Sequence, residues 1–135
     1  METITNFTNF SKDPDAKVFY PQNLDSLKKG LKNNHTLIGN LKSYGDCCIG
    51  NKNYISLKNF NKVVHFDKMN GLIEVQSGMK LKELMEITLR EKMVLRCMPG
   101  SKYGSVGGMV ETNIQGKCSN FNNFKHYIKE LTILR

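Results

Sequence analysis

Residues 99–117, PGSKYGSVGGMVETNIQGK, constrain the fold of this chain most, because glycine and small hydroxyl residues recur along them. Glycine loses more backbone entropy on folding than any other residue, so the stretch is a poor core for a helix or a strand. The missing Cβ atoms instead allow the backbone to pass close to a ligand. The sequence therefore predicts a binding loop, in which the N–H groups of Gly100, Gly107 and Gly108 face an anion or a flat ring.

A second run of the same character, GNLKSYGDCCIG, lies upstream at residues 39–50. Residues 35–39 are typical of a strand, and residues 23–32 of an amphipathic helix that Asn23 caps. With a further strand at 17–20, these elements predict a βαβ unit with parallel strands. Because open α/β sheets bind ligands beyond the carboxyl ends of their strands, we expect both glycine-rich loops to converge on one phosphate-bearing cofactor.

Hydrophobic periodicity and turn residues predict the remaining elements. Residues 1–16 are polar and are expected to have little regular structure. The Asn70-Gly71 pair between two β-rich runs indicates a hairpin, with Ile73 and Val75 on one face of its second strand. The predicted strands are 54–57, 63–66, 72–76 and 127–134, the predicted helix is 80–91, and 117–125 is expected to be a loop.

The net charge of +8 comes from 20 Lys and Arg residues against 12 Asp and Glu residues. The lysines are spread along the chain, and no basic-aromatic or helix-turn-helix pattern accompanies them, so a nucleic-acid partner is not expected. No apolar run approaches the roughly 20 residues that cross a bilayer, so no membrane span is expected. The first residues lack the basic and apolar regions of a secretory signal, and a cytoplasmic location is expected.

The four cysteines are Cys47, Cys48, Cys97 and Cys118, and they form no CxxC pair. The three histidines stand far apart in the sequence, so the pattern is not that of a zinc site and no metal is expected. Because cytoplasmic thiols are kept reduced, all four cysteines are expected to be free thiols.

Three motifs occur in a specific order: SYGD in the first loop, VQSGMKLKELM where a hairpin meets a helix, and PGSKYGSVGG with a later GK in the second loop. Together they resemble the FAD-binding domain of the vanillyl-alcohol oxidase family, which has the PCMH-type flavin fold. Within that family the pattern is most similar to decaprenylphosphoryl-ribose oxidase and to the sugar-lactone and alditol oxidases. The similarity covers about residues 18–135 and corresponds to the N-terminal part of such an enzyme.

The resemblance implies an α+β fold in which a small parallel βαβ subdomain is followed by part of a second α/β subdomain. It implies an N-terminal arm at 1–16, a first FAD-binding subdomain at 17–78 and a partial second one at 79–135. The first loop would hold the pyrophosphate through backbone N–H groups, with Lys42 adding charge and Asp46 fixing the loop. The cofactor-binding residues that it implies are Gly39, Asn40, Leu41, Lys42, Ser43, Tyr44, Gly45 and Asp46 in the first loop, and Pro99, Gly100, Ser105, Val106, Gly107, Gly108, Asn113, Ile114 and Gly116 in the second.

Several positions depart from the pattern of that family. Leu41 stands where a second glycine is usual. Lys42 takes the place of the histidine that binds flavin covalently in some members, so FAD is expected to be bound non-covalently. Gln115 replaces the histidine of the oxidase branch and cannot act as an acid or base at neutral pH. Glu111 stands where a small residue is usual beside the flavin.

The sequence thus predicts the FAD-binding portion of a flavin-dependent oxidoreductase that acts on an alcohol carbon of a sugar, alditol or lactone. The alternative is a non-catalytic flavin-binding remnant or module without a substrate domain, and Gln115, Glu111 and Leu41 favour it. Catalytic residues would belong to the substrate domain and cannot be named from this chain. A second polypeptide or a second copy is expected to complete the fold.

Overall fold

The computed structural model describes residues 2–32, 34–50, 52–118 and 123–134. The chain forms two compact units, Met1–Phe60 and Asn61–Arg135. This division falls after Phe60, whereas the sequence predicts a boundary between two FAD-binding subdomains after Gly78, and that subdomain assignment stays a prediction. Helices occur in both units beside parallel and antiparallel strands, so the expected α+β class is confirmed.

In the first unit the described residues form four strands and one helix: β1 (Glu2–Thr5), β2 (Lys12–Phe19), α1 (Leu24–Leu31), β3 (Thr36–Ile38) and β4 (Asn53–Ser56). The strands form one sheet in the order β1-β2-β4-β3. β1 pairs antiparallel with β2, while β2 and β3 both pair parallel with β4. The predicted βαβ unit with parallel strands is therefore confirmed, and β4 lies between its two strands.

Residues 2–16 contribute β1 and part of β2, so the expectation of little regular structure in this segment is wrong. The register places Glu2 opposite Ala16 and Thr5 opposite Lys12. Ile4 and Ala16 are buried in a core cluster with residues of β3 and β4. A short polar segment gains a strand here because its few apolar side chains are covered by distant parts of the chain, which local composition does not reveal.

Asn23 caps helix α1 as predicted, and Gly30 lies where the helix packs closely on the sheet. Asn23 Oδ1 accepts from Ser26 N at 2.9 Å, and Ser26 Oγ accepts from Asn23 N at 3.2 Å, which forms a capping box. A Cβ atom at Gly30 would lie 3.0 Å from Ile55 Cδ1 and 3.1 Å from the ring of Phe19. The glycine that weakens the helix intrinsically thus lets it pack closely on the sheet.

In the second unit the described residues form β5 (Val63–Asp67), β6 (Leu72–Val75), α2 (Leu81–Arg90), β7 (Cys97–Met98), α3 (Val106–Glu111), β8 (Lys117–Cys118) and a 3₁₀ helix (Phe124–Tyr127). β5 and β6 form the predicted antiparallel hairpin, and Gly71 adopts a φ of +66° in its turn. Hydrogen bonds from the Asn70 side chain and backbone lower the pKa of Asp67 at the start of that turn. Helix α2 is confirmed within a residue of its predicted ends.

Three sequence expectations fail in the second unit. Helix α3 forms inside the glycine-rich stretch, because Ser105 caps it: its hydroxyl accepts from Gly108 N at 3.4 Å. Strand β8 occupies the start of the predicted loop 117–125, of which 119–122 lie outside the described residues. The predicted strand 127–134 is replaced by the end of a 3₁₀ helix at Phe124–Tyr127 and by backbone without regular structure at 128–134, since no neighbouring strand pairs with this segment in the described ranges.

Strands β7 and β8 pair antiparallel with Cys97 opposite Cys118, and a disulfide joins the two residues. The expectation that all four cysteines are free thiols is therefore wrong for this pair. The two cysteines are 21 residues apart, and the chain brings them together only by folding back through the second glycine-rich loop. Cys47 and Cys48 are free thiols, the first exposed and the second buried.

Candidate functional site

The first glycine-rich loop (residues 39–50, hereafter the first loop) is fastened to the turn that joins β1 to β2. Phe7 N donates to Ser43 O at 3.0 Å. The Asn6 side-chain amide donates to Tyr44 O at 3.0 Å and to Gly45 O at 3.2 Å, and Asn6 is only 3% exposed. The rings of Phe7 and Tyr44 meet edge to face with centroids 5.2 Å apart. Three consecutive carbonyl groups of the loop are thus held by the N-terminal segment.

The end of the first loop is fastened by a buried tyrosine and an aspartate. Gly50 N donates to the Tyr54 hydroxyl at 3.0 Å, and that hydroxyl donates to Asp13 Oδ2 at 2.8 Å. The same carboxylate oxygen accepts from Lys52 N at 3.1 Å. Burial raises the pKa of Tyr54, and the neighbouring Asp13 adds to the effect. The phenol therefore stays protonated at neutral pH and keeps its role as a donor to Asp13.

Leu41 adopts a left-handed backbone conformation, with a φ of +52°. This is the position where the family pattern has a second glycine, and a left-handed φ is what glycine adopts without steric cost. The Leu41 side chain packs against the core cluster that contains Ile4, Ile38 and Tyr54. The loop thus keeps a glycine-like backbone at Leu41, and the side chain gains burial in the core.

The carbonyl and N–H groups in the middle of the first loop are used differently. Within the described ranges, the N–H groups of residues 41–46 donate to no protein acceptor, whereas the carbonyl groups of residues 43–46 all accept. Lys42 Nζ lies 5.5 Å from the centroid of the Phe7 ring and brings a positive charge to the same loop. A run of unpaired backbone donors beside a lysine suits an anion, so these residues fit the pyrophosphate of FAD. The Asp46 side chain is exposed, and its predicted role in fixing the loop stays a prediction.

The second glycine-rich loop (residues 99–117, hereafter the second loop) differs from its prediction in how its amides are used. Gly107 N donates to Ser77 O at 2.7 Å, and Val106 N donates to Met79 O at 2.8 Å. A Cβ atom at Gly107 would lie 2.9 Å from Ser77 Cβ and 3.1 Å from Ser77 O. Gly107 therefore allows α3 to approach the backbone before α2. The expectation that the Gly107 and Gly108 amides face a ligand is wrong for this structure, since Ser77 and Ser105 accept from them.

The later part of the second loop turns back towards β7. A side chain at Gly116 would collide with the backbone of Met98 and Pro99, so only glycine fits there. Asn113 has a φ of +43°, and its side-chain oxygen accepts from Lys125 N at 3.3 Å. Gly100 has open space on its side, and Glu111 and Gln115 are exposed. The Glu111 carboxylate is therefore solvated.

The first loop carries two free thiols, Cys47 and Cys48. Burial raises the pKa of the Cys48 thiol, and the neighbouring Cys47 raises it further, so the thiolate is disfavoured. Among the described residues, no three histidine, cysteine or acidic side chains are grouped so as to hold a metal ion. In the same part of the chain, no helix has the length and apolar character needed to cross a membrane.

Comparison with known proteins decides the family. A family model described as an FAD binding domain matches residues 16–135. The chain belongs to this family of FAD-binding domains. Its cofactor is FAD, and its expected PCMH-type fold is confirmed. A D-lactate dehydrogenase of Anaerostipes hadrus is 31% identical over 91 residues, which are 67% of this chain and 19% of that protein.

Two further comparisons give similar proteins. Decaprenylphosphoryl-β-D-ribose oxidase of Mycolicibacterium smegmatis is 26% identical over 95 residues, covering 69% of this chain and 21% of that protein. The crystal structure of cholesterol oxidase from Brevibacterium sterolicum superposes with a TM-score of 0.67 at 12% identity, over 84% of this chain and 24% of that one. The matched part of the chain thus corresponds to about a fifth of the length of each of the two curated relatives described here.

Sequence reasoning missed the residues that hold the first loop. Asn6, Asp13 and Tyr54 are buried, yet none of them belongs to a motif of the family pattern. Asn6 lies 38 residues from its partner Tyr44, and Asp13 lies 41 residues from Tyr54. The predicted cofactor residues of each loop lie within a single unit. The convergence of the two loops on one FAD stays a prediction.

Proposed function

We propose that this chain is the FAD-binding portion of a flavin-dependent oxidoreductase that oxidises an alcohol carbon, in a sugar, alditol, lactone or related hydroxy compound. The observation that supports it best is the first loop, in which the carbonyl groups of 43–46 are bonded to protein, while the N–H groups of 41–46 have no protein acceptor among the described residues. The names of the relatives support the substrate class, because one acts on D-lactate and another on a ribose derivative.

In this proposal the first loop binds the pyrophosphate of FAD, and Lys42 supplies positive charge. FAD, when bound, supplies a hydride acceptor. The second loop contributes its open side around Gly100, where a flavin or ribityl chain can approach the backbone. Binding is non-covalent, because Lys42 lacks the imidazole that forms a histidyl link. Any catalytic acid or base would come from chain outside these residues or from a second polypeptide or copy.

The alternative is a flavin-binding module without turnover. Gln115 favours it, because this exposed amide cannot exchange a proton with a substrate at neutral pH. The cytoplasmic location expected from the sequence stays a prediction. The Cys97–Cys118 disulfide is a feature more usual in oxidising compartments.

A visible spectrum of the purified protein tests FAD binding, and acid precipitation tests the mode of attachment. We expect flavin absorption bands in the protein and free FAD in the supernatant after denaturation. Flavin that stays in the pellet would contradict non-covalent binding. Anaerobic addition of D-lactate, alditols or sugar lactones should bleach the flavin if the protein is an enzyme, whereas a binding module would keep its colour with all of them.

A charge reversal tests which loop meets the phosphates. We expect Lys42→Glu to weaken FAD binding about tenfold, because a charge-assisted contact to the pyrophosphate becomes repulsive. Lys29→Glu, which changes an exposed lysine of α1 in the same unit, is the matched control. Equal affinities in a fluorescence titration would remove the first loop from the site. Gly107 is a poorer choice for this test, because a side chain there meets Ser77 whether or not FAD is bound.

A further inference from the structure

Asn6 uses its whole side-chain amide in the turn between β1 and β2. Its Nδ2 atom donates to Tyr44 O and Gly45 O, at 3.0 and 3.2 Å. Its Oδ1 atom accepts from Phe10 N at 3.1 Å, Ser11 N at 3.4 Å and Thr8 Oγ1 at 3.2 Å. A buried asparagine with both ends bonded is held in one orientation, because turning the amide over would break every one of these bonds.

The geometry of the peptide bond fixes where the N–H groups of the first loop point once its carbonyl groups are bonded. A trans peptide is planar, so the C=O of one residue and the N–H of the next point to opposite sides. Phe7 N holds Ser43 O, and Asn6 holds Tyr44 O and Gly45 O. The N–H groups of residues 44, 45 and 46 are therefore directed away from the N-terminal turn as a consecutive set.

We infer that Asn6 is a positioning residue for the cofactor, which orients the three amide donors of residues 44–46 towards the FAD pyrophosphate. This inference rests on the proposed function of the first loop. Oriented donors need no reorganisation when an anion arrives, so their hydrogen bonds add to affinity at a smaller entropic cost. Phe7 contributes a further bond through its backbone N–H, and Thr8 Oγ1 lies 3.3 Å from Tyr44 O. The segment 6–8 is therefore a support for the loop rather than a separate arm.

The variant Asn6→Asp distinguishes orientation of the first loop from a purely structural role within the β1–β2 turn. The carboxylate keeps an acceptor for Phe10 N and Ser11 N, but it cannot donate to the two loop carbonyl groups and repels them. Asn6→Ala removes both sets of bonds. Asn59→Ala is the matched control, because Asn59 Nδ2 donates to Pro21 O at 3.2 Å in the same unit, and Pro21 is not part of the first loop.

The test measures FAD and ADP affinity by calorimetry on the wild type and these variants, each first checked for folding by circular dichroism. ADP serves as a probe that carries the pyrophosphate without the flavin. We expect Asn6→Asp to weaken the binding of both ligands about tenfold. Without the bonds from Asn6, the loop carbonyl groups can turn, and the N–H groups of residues 44–46 are no longer held in one orientation. Asn59→Ala should stay within about twofold of the wild type. A folded Asn6→Asp protein with wild-type affinity for both ligands would overturn the inference and leave the proposed function intact.

A second measurement needs no variant and covers the case in which Asn6→Asp does not fold. Amide hydrogen exchange of the wild type, resolved by residue, should slow at 44, 45 and 46 when FAD is added. Unchanged exchange at these three amides in a protein that binds FAD would overturn the inference. A wild type that binds neither FAD nor ADP would overturn the proposed function as well, so the two failures are distinguishable.

Discussion

Leu41 adopts a left-handed backbone conformation that is typical of glycine. Its φ of +52° costs about 1 kcal/mol for a residue with a Cβ atom, while its side chain packs on the core cluster. Glycine and alanine at this position lose the same packing and differ in backbone strain. We therefore expect Leu41→Gly to have the larger free energy of unfolding, by about 1 kcal/mol over Leu41→Ala, in urea denaturation.

The control for the Leu41 variants is a position at which alanine, rather than glycine, is expected to give the more stable protein. Glu86 is exposed inside α2, where a helical φ favours alanine over glycine by about 1 kcal/mol. Glu86→Ala should therefore be more stable than Glu86→Gly. If alanine is the better residue at position 41 too, the left-handed conformation of this loop is wrong.

Tyr20 links stability to pH at the outer edge of the first sheet. Burial, then the hydrogen bond to Glu2 and its charge, raise the pKa of Tyr20 to about 12, and the hydroxyl donates to Glu2 Oε2 at 2.7 Å. A raised pKa means that the folded state holds the proton more tightly, so this contribution is complete below pH 10 and is lost as the pH rises towards 12.

The pH effect is measured as a difference, because lysines also titrate in this range. We expect the wild type to lose more stability between pH 9 and 11 than Tyr20→Phe, which has no proton to lose. Thermal unfolding of both proteins at each pH gives the comparison. Parallel losses would show that the Tyr20–Glu2 contact makes no contribution in solution.

At the scale of elements, the disulfide between β7 and β8 closes the second loop. Cross-linking residues 21 apart lowers the entropy of the unfolded chain and stabilises the fold by about 3 kcal/mol in the chain-entropy description. We expect two titratable thiols in the denatured protein without reductant, Cys47 and Cys48, and four after reduction. Four thiols before reduction would contradict the pairing. Cys118→Ser should lower the unfolding temperature, whereas Cys47→Ser, at an exposed free thiol, should leave it unchanged.

Local elements were predictable where the signal lies within a few residues. Asn23 and Ser26 cap α1, Asn70 and Gly71 form the hairpin turn, and the apolar spacing of α2 gives its bounds within a residue. The failures are elements that depend on a partner. β1 needs the distant core that covers Ile4, α3 needs the close approach of Gly107 to Ser77, and the segment 128–134 lacks a strand to pair with in the described ranges.

At the scale of the whole molecule, the two glycine-rich loops are predicted to serve one FAD. Hydrogen exchange by mass spectrometry tests this, since a ligand held by both loops slows exchange in both. We expect FAD to protect peptides from 39–46 and from 99–117, while the β5–β6 hairpin, which carries none of the predicted site residues, exchanges as before. Protection confined to one loop would mean that the other has no part in the site.

The sequence by itself determined the family, the cofactor and the order of the elements around the first loop, because motifs and hydrophobic periodicity are properties of neighbouring residues. The tertiary structure alone decided what holds that loop: Asn6 reaches Tyr44 across 38 residues, Tyr54 reaches Asp13 across 41, and Cys97 meets Cys118 across 21. It also decided that the Gly107 N–H group donates a hydrogen bond to Ser77 O. A buried hydrogen bond depends on which distant groups share a dry environment, and burial is set only once the whole chain has folded.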